Sequence, residues 1–157
     1  MNNNLFEQLK NVYGSLDEPT YFKINEVMAE RPYSRLVQDL ANFFHVEEIT
    51  DVNEDVSFQY ELIQGDDAWM LELSAVGSYA VFSRYEELGG QLLITPESDD
   101  LEPPERQVID LLRLHGLRVM DRSDLDVPVR MNLFVTEPEK VRLYHALFSD
   151  NDSLPWG

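Results

Sequence analysis

The spacing of apolar residues changes to a period of two at residue 56, and this change constrains the fold more than any other feature of the chain. Apolar and polar residues alternate over residues 56–63, 69–73 and 79–85, as expected for half-buried β-strands, and residues 92–95 form a fourth short segment. The connections between these segments are short and contain glycine. The sequence therefore predicts a four-stranded antiparallel meander.

Helical spacing precedes the meander. Residues 3–13 form an amphipathic segment that stops at Gly14, residues 21–30 form a second one that ends before Pro32, and residues 34–44 form a third with Ser34 as its cap. The aromatic residues on these faces are typical of a core rather than of a cofactor site. We therefore expect three N-terminal helices.

Helical spacing also follows the meander. Residues 108–115 predict a helix that ends at Gly116, and residues 117–120 and 130–135 predict two further strands. Thr136 and Glu139 form the pattern of a capping box for a last helix. The sequence thus predicts an α+β fold with N-terminal helices, a four-stranded antiparallel meander, a helix, two further strands and a C-terminal helix. A chain of 157 residues suits one domain, 1–157.

The two tryptophans carry separate expectations. Trp69 shares a strand face with Leu71 and Leu73, so it should be buried, and its indole N–H then needs a hydrogen-bond partner. Trp156 lies near the C-terminus, where it either frays or folds back over the last helix. In the second case Leu154 and Trp156 hold the tail down, either for stability or as an anchor for a partner.

Several classes of function lack the residues that they require. The chain has no cysteine, no basic start followed by an apolar run, and no stretch of eighteen apolar residues, so we expect a cytoplasmic protein that is not inserted in a membrane. No histidine has a partner at metal-ligand spacing, and neither a phosphate loop nor a nucleophile elbow occurs. We therefore expect no catalytic residue, no metal and no cofactor.

A carboxylate-based hydrolase is the enzymatic alternative. The chain has 30 acidic residues, so some carboxylates will lie near each other by chance. Such a site also needs a pocket and a carboxyl group with a perturbed pKa. We expect no pocket that combines a carboxylate pair with an apolar wall.

The negative charge is concentrated in one segment. Twelve basic and 30 acidic residues give a formal charge of −18, which repels nucleic acid and anionic lipid surfaces. Residues 36–105 contain seventeen of these acidic residues and one basic residue, Arg84, whereas each flank is within one charge of neutrality. Charge that served solubility alone would not need this confinement, so the segment indicates a basic protein partner.

Strand direction predicts where the acidic residues gather. Because each tight turn reverses the chain, the segment that enters the first strand and the segment that leaves the fourth should lie at the same end of the meander. The candidate partner-binding residues in these segments are Glu47, Glu48, Asp51, Glu54, Asp55, Glu97, Asp99, Asp100 and Glu102, with Glu105 next to them. A basic partner would be steered toward this end. The alternative is that both loops are only solvated.

The C-terminal residues support a more specific expectation. The predicted last helix runs into Leu147-Phe148-Ser149-Asp150, and Leu154-Pro155-Trp156 follows. In these residues, and in its small, acidic, cysteine-free α+β character, the chain resembles immunity proteins of bacterial polymorphic toxin and contact-dependent inhibition systems. This resemblance implies a cytoplasmic antitoxin that binds and blocks a cognate toxin domain, often with acidic residues set against a basic nuclease or deaminase site.

The order of predicted elements gives a second resemblance. The order is similar to that of class I chaperones of type III secretion, which have an N-terminal helix, a strand triplet, a helix, a strand pair and a final helix. Residues 15–55 depart from that pattern, because they add helical and acidic material before the first strand. The resemblance implies a dimer that holds an extended effector segment on apolar patches.

These patterns predict a non-enzymatic protein-binding module, with neutralisation of a basic toxin domain as its leading use and a secretion chaperone as the alternative. We expect a monomer or a weak dimer, because the predicted sheet edges are short and the net charge opposes self-association. A tight dimer with a large apolar interface would favour the chaperone.

Overall fold

Residues 3–157 are described by a computed structural model, and three helices open the chain as predicted. They are α1 (Asn3–Tyr13), α2 (Phe22–Glu30) and α3 (Ser34–Leu40). α1 buries Leu5, Leu9 and Tyr13, which share one face of the helix. α3 is shorter than predicted, because the chain turns so that Phe44 enters the core while Phe43 stays exposed.

The junction between α2 and α3 differs from the prediction at its cap. Tyr33 rather than Ser34 is the N-cap residue of α3, and the Ser34 hydroxyl donates a hydrogen bond to the Arg31 carbonyl at 2.9 Å. Arg31 ends α2 in the left-handed region, with a φ of 53°. Its guanidinium lies 5.2 Å from the centre of the Phe58 ring. The junction thus places a cation against the core side of the sheet.

The sheet contains the four strands of the predicted meander, the strand predicted at residues 117–120, and one additional strand. In chain order the strands are β1 (His45–Glu48), β2 (Ser57–Gln64), β3 (Asp67–Ser74), β4 (Tyr79–Tyr85), β5 (Gln91–Ile94) and β6 (Arg118–Val119). The first five lie side by side in antiparallel order β1-β2-β3-β4-β5, so the predicted meander is confirmed in β2 to β5. β6 pairs in parallel with the start of β4. β1 is an additional edge strand that the sequence pattern did not predict.

Cross-strand register assigns each strand residue to one of two faces. The apolar face carries Phe58, Tyr60, Leu62, Trp69, Leu71, Leu73, Ala80 and Phe82, all of which are buried. The rings of Tyr33 and Phe44 meet this face edge-on, each 5.8 Å from an aromatic ring of the sheet. The helical N-terminal part of the chain therefore covers the apolar face.

The opposite face of the sheet is polar. It carries Gln59, Glu61, Met70, Glu72 and Ser83. The C-terminal segment covers part of it, because the hydroxyls of Ser57 and Ser74 donate hydrogen bonds to the carbonyls of Phe148 and Leu147, both at 2.7 Å. Gln59, Met70, Glu72 and Ser83 are buried on this face, and Glu61 is partly exposed.

The second half of the chain contains the predicted helix and three short helical segments. These are α4 (Pro103–Leu114), α5 (Arg122–Leu125), a 3-10 turn at Pro138–Lys140 and α6 (Leu143–Leu147). The predicted strand over residues 130–135 is wrong. The backbone N–H groups of Phe134, Val135 and Thr136 donate to the Asp150 carboxylate at 2.8–2.9 Å, so a side chain satisfies amides that a sheet would otherwise pair.

The predicted capping box of the last helix is also wrong. Within residues 3–157 the Thr136 hydroxyl has no hydrogen-bond partner. Pro138 starts a single 3-10 turn, and Val141 after it is extended, with ψ at 130°. The helix therefore begins only at Leu143 and contains five residues.

Both tryptophan expectations are answered by contacts. Trp69 is buried as predicted, and its indole N–H donates to the Glu105 carboxylate at 2.9 Å. Trp156 folds back, since its ring meets Tyr144 edge-on at 6.1 Å and the Arg122 guanidinium lies 5.5 Å from its centre. Leu154 also packs against the core. The tail is thus attached to the last helix.

A hydrophobic core joins the helices to the sheet, with buried residues from Leu5 to Phe148. Helices and an antiparallel meander share this core, so the predicted α+β class is confirmed. Among the helices of residues 3–157, none has the length and apolar character that crossing a membrane requires.

Candidate functional site

Glu47 and Glu48 lie in the edge strand β1 rather than in a loop. Glu48 forms an ion pair with Arg31. Glu47 lies directly opposite Glu61 of β2, and Nε2 of His45 lies 3.1 Å from its Oε1. Successive strand residues point to opposite faces, so Glu48 belongs to the apolar face and Glu47 to the polar face.

Asp51, Glu54 and Asp55 lie in the loop that enters β2, as predicted, and this loop contacts the C-terminal segment. The Asp55 carboxylate accepts hydrogen bonds from the Asp51 amide at 2.6 Å and from the Ser149 hydroxyl at 2.7 Å. The amide of Asp150 donates to the Glu54 carbonyl at 2.9 Å. Burial raises the pKa of Asp55, and its hydrogen bonds offset part of this effect.

The second acidic segment does not join the first. β5 ends at Ile94, which lies opposite Phe82 in the middle of β4, and the chain then turns back. Glu102 lies beside Asp66 and Asp67 in a shallow pocket at the turn between β2 and β3, which is the other end of the sheet. The predicted gathering of both acidic segments at one end is therefore wrong for Glu102.

Glu97, Asp99 and Asp100 are exposed in the loop between β5 and α4. No ion pair or hydrogen bond involves their carboxylates in the part of the chain that the structure describes. These three residues therefore fit the alternative in which the loop is only solvated. They offer a comparison for the loop that contains Asp51 and Glu54.

Glu105 is a buried structural residue. Its carboxylate accepts hydrogen bonds from the Trp69 indole at 2.9 Å and from Nε of Arg84 at 2.8 Å, and it caps α4 by accepting the Glu102 amide at 2.9 Å. Burial alone would raise the pKa of Glu105, but the hydrogen bonds from Arg84, the Glu102 amide and Trp69 together lower it. The ion pair between Glu105 and Arg84 positions the start of α4 against the sheet.

Two carboxylates on the polar face, Glu61 in β2 and Glu72 in β3, are not among the residues predicted from the sequence. The Tyr85 hydroxyl donates to Glu61 at 3.1 Å. Burial and then the Glu61 carboxylate raise the pKa of Tyr85 to about 12. The period of two already assigns Glu61 and Glu72 to the polar side of their strands, so alternation was the signal that could have found them.

We name the surface formed by Glu47, Asp51, Glu54, Asp55, Glu61 and Glu72 the acidic face. Within residues 3–157 no lysine or arginine forms an ion pair with any of these six carboxylates. Arg31 and Arg84 pair with glutamates on the apolar face instead. Like charges directly opposite on a sheet, such as Glu47 and Glu61, cost free energy. The acidic face therefore has no lysine or arginine partner within the described residues.

A cleft of about 440 Å³ opens on the acidic face. Its polar lining includes Asp51, Glu54, Asp55, Gln59, Glu72 and Tyr144. Its apolar wall is formed by Ile49, Met70, Leu154 and Pro155. The expectation that no pocket combines a carboxylate pair with an apolar wall is therefore wrong.

Glu72 lies deepest among these acids, with only 1% of its surface exposed. Its Oε1 atom accepts hydrogen bonds from the Tyr144 hydroxyl at 2.7 Å and from Nε2 of Gln59 at 2.8 Å. Burial raises the pKa of Glu72 to about 7, although both hydrogen bonds act to lower it. Burial therefore favours the protonated form of Glu72 over the charged form, compared with an exposed glutamate.

Exposed apolar side chains border the acidic face. Val52 is 82% exposed, and Ile49 in the same loop is about half exposed. Phe134 is 83% exposed and stacks on Tyr21 at 5.6 Å, beside a cavity of about 240 Å³ that Val52 and Asp55 also line. Exposed apolar groups next to a charged rim are typical of protein-binding surfaces.

His115 and His145 contact different groups and do not form a common site. Nε2 of His115 lies 2.9 Å from Asp39, and Nδ1 of His145 accepts a hydrogen bond from the Arg142 amide at 2.9 Å. Burial lowers the pKa of His145. In residues 3–157 no group of three or more histidine, aspartate or glutamate side chains is arranged to hold a metal ion.

Comparison with known proteins gives one partial similarity. No family model matches the chain, and no solved structure matches it. The chain is 30% identical over 81 residues to the guanine nucleotide-binding protein subunit beta 2 of Saccharomyces cerevisiae (strain ATCC 204508 / S288c). The aligned part covers 48% of this chain but only 9% of the yeast protein, so the chain spans less than a tenth of that relative. This similarity assigns neither a family nor a partner.

Proposed function

We propose that this chain is a non-enzymatic immunity protein that binds a basic toxin domain through the acidic face and thereby blocks it. The observation that carries the proposal is the alignment of Glu47 with Glu61 on a sheet face where no lysine or arginine pairs with either of them in residues 3–157. The free chain bears the cost of this repulsion. A basic partner removes that cost when it binds.

Electrostatics and apolar contact act together in this proposal. The acidic face raises the local concentration of a cationic partner and speeds its association, and salt weakens this effect. Val52, Ile49 and Phe134 supply the apolar area that a stable complex buries. Charge therefore accounts for the encounter, and the exposed apolar side chains account for retention of the partner.

Charge reversal at matched positions tests the proposal. The partner is first co-purified from the native host, identified by mass spectrometry and produced as a purified protein. The variant Glu47→Lys, Glu54→Lys, Glu61→Lys changes the acidic face. The variant Glu97→Lys, Asp99→Lys, Asp100→Lys makes the same change in charge on the solvated loop, and circular dichroism checks both folds.

We expect the acidic-face variant to lower the association rate by about ten- to a thousandfold at low salt, because steering depends on the local field. The association rate of the solvated-loop variant should fall much less, because its substituted charges lie away from the proposed contact. Biosensor kinetics over a salt series measure both rates. Equal losses in the two variants would show that net charge alone matters, and the acidic face would then not be the binding site.

Oligomeric state separates this proposal from the chaperone alternative. We expect a monomer or a weak dimer in light scattering, because the net charge of −18 opposes self-association. A tight dimer would support a chaperone that holds an extended effector segment. The same experiment at high salt controls for simple charge repulsion.

A carboxylate-based hydrolase is the second candidate, and the buried Glu72 is the observation that favours it. A carboxyl group with a pKa of about 7 beside a second acid, Asp55, suits a general acid in glycoside or ester hydrolysis. Hydrolysis of a substrate panel by the wild-type protein, lost in Glu72→Gln, would establish this activity. Equal rates in the two proteins would exclude Glu72 as the acid.

A further inference from the structure

The carboxylate of Glu72 has one occupied oxygen and one open oxygen. Both of its hydrogen bonds, from Tyr144 and Gln59, reach Oε1. No donor among residues 3–157 reaches Oε2. Glu72 is 99% buried and lines the cleft of the acidic face. In the described residues Oε2 is not one of the fully buried polar atoms without a partner, so it is open to the cleft, where a ligand can donate to it.

The surroundings hold Glu72 in one orientation. Nε2 of Gln59 also lies 2.7 Å from the Ser57 hydroxyl, which in turn donates to the Phe148 carbonyl at 2.7 Å. The Tyr144 ring stacks on Phe148 at 5.8 Å. The hydrogen-bonded oxygen is therefore fixed from two sides, and the orientation of the open oxygen is fixed with it.

We propose that the cleft of the acidic face binds one arginine side chain of the partner, with the guanidinium donating to Oε2 of Glu72. This inference rests on the proposed function and specifies how that surface recognises its partner. Met70, Leu154 and Pro155 form an apolar wall for the alkyl stem of the arginine. Asp55 and Asp51 at the same cleft provide further negative charge for the guanidinium.

Arginine fits this site better than the other cations. A metal ion needs several ligands, and no group of three suitable side chains exists in the described residues. A lysine ammonium is a compact and strongly hydrated charge, so burial beside Glu72 costs it more. A guanidinium is weakly hydrated and planar and donates in several directions.

Binding of the guanidinium should release a proton from Glu72. The titratable groups around Glu72 are Asp55 and, across the cleft, Asp51 and Glu54, with Tyr144 of α6, Glu61 of β2 and Tyr85 of β4. Burial and the Asp55 carboxylate disfavour the charged form of Glu72, whereas a cation favours it. Affinity for arginine should therefore rise as the pH increases from about 6 to about 8.

The test uses the full chain and N-acetyl-arginine amide as the probe. Glutamate side chains are labelled with ¹³C, and the signal that disappears in Glu72→Gln identifies Glu72 by NMR. N-acetyl-citrulline amide, which has the same shape without the charge, and N-acetyl-lysine amide are added in parallel at constant ionic strength. The variant Asp99→Asn serves as the matched control for loss of an acid outside the cleft.

We expect the arginine probe to lower the titration midpoint of Glu72 by about one pH unit or more, and citrulline to leave it unchanged. Glu72→Gln should weaken probe binding about tenfold or more, which corresponds to the loss of a charge-assisted hydrogen bond, while Asp99→Asn should bind normally. An unchanged Glu72 midpoint, or an equal shift with citrulline or lysine, would overturn the arginine site. The midpoint is measured on the wild-type chain, so this result does not depend on how the variant folds.

The two proposals fail in different ways. If charge reversal of the acidic face slows partner association but the arginine probe leaves Glu72 unaffected, the surface binds the partner and the arginine site is wrong. If the arginine probe lowers the titration midpoint of Glu72 but charge reversal leaves the association rate unchanged, the arginine site is present and the toxin-binding role of this face is wrong.

Discussion

Replacing Glu72 by glutamine should stabilise the protein above neutral pH. Burial raises the pKa of Glu72 from its ordinary 4.5 to about 7, so the folded chain holds a proton that the unfolded chain has already released. The stability that comes from this proton is complete below pH 4.5 and is lost as the pH rises through about 7. Glutamine has the same shape, accepts the same hydrogen bonds from Tyr144 and Gln59, and carries no charge.

The magnitude follows from this difference in pKa. At about 1.36 kcal/mol per pH unit, the ionised Glu72 costs the fold about 3 kcal/mol at pH 8. The cleft gives Glu72 contact with water on one side, which reduces this cost. We therefore expect Glu72→Gln to raise the free energy of unfolding by about 1 to 3 kcal/mol at pH 8, and by less than about 1 kcal/mol at pH 5.

Urea unfolding followed by tryptophan fluorescence between pH 5 and pH 8 measures this difference. Glu105→Gln is the matched control, because Glu105 is equally buried but pairs with Arg84 and has a lowered pKa. Its stabilising effect is present above pH 4.5 and is lost as the pH falls through the lowered value, so Glu105→Gln should destabilise the fold at pH 7 by about 2 to 4 kcal/mol. A Glu72→Gln variant that is less stable than the wild type at pH 8, or whose difference from it is the same at pH 5, would refute the reasoning.

Two further variants test how the C-terminal segment is held. Deleting residues 154–157 should lower the free energy of unfolding by about 1 to 2 kcal/mol, because Leu154 and Trp156 leave the core and the Tyr144 ring, and a thermal melt measures this as a loss of several degrees. An unchanged melt together with weaker partner binding would make the tail an anchor. Asp150→Ala should cost about 2 to 4 kcal/mol in chemical denaturation, because three amides from Phe134 to Thr136 lose their acceptor, and an unchanged midpoint would contradict this role.

The strands of the meander were predictable because their signal is local. Alternation between residues 56 and 85 depends only on which side of a strand each residue faces, and the short turns fix the pairing of neighbours. The burial of Trp69 follows from the same pattern. The same alternation places Glu61 and Glu72 on the polar face, but the site prediction considered only acidic residues near the ends of the meander.

The position of the second acidic segment was not predictable from strand direction. Strand direction places the end of β5 at the far end of the sheet only if β5 crosses the whole sheet, whereas β5 stops opposite Phe82. The start of α4 is placed by Glu105, whose partners Trp69 and Arg84 lie 36 and 21 residues away in the sequence. No local pattern contains such a long-range contact.

The strand predicted at residues 130–135 is wrong for a similar reason. The segment is rich in apolar residues, as a strand would be, but Asp150 binds three successive amides at its end. A carboxylate from a distant part of the chain thus replaces a neighbouring strand as the acceptor. The sequence contains both groups, and only the tertiary fold brings them together.

The acidic residues of the middle segment lie in two different environments, one on each face of the sheet. On the apolar face, Glu48 and Glu105 each pair with an arginine and hold β1 and α4 in place. On the polar face, Glu47 lies opposite Glu61, and no lysine or arginine of residues 3–157 pairs with either. Charge for solubility needs only exposure, as at Asp99, whereas aligned like charges on a sheet reduce stability. The arrangement of charge on the polar face, rather than the total of −18, is therefore what supports the proposed basic partner.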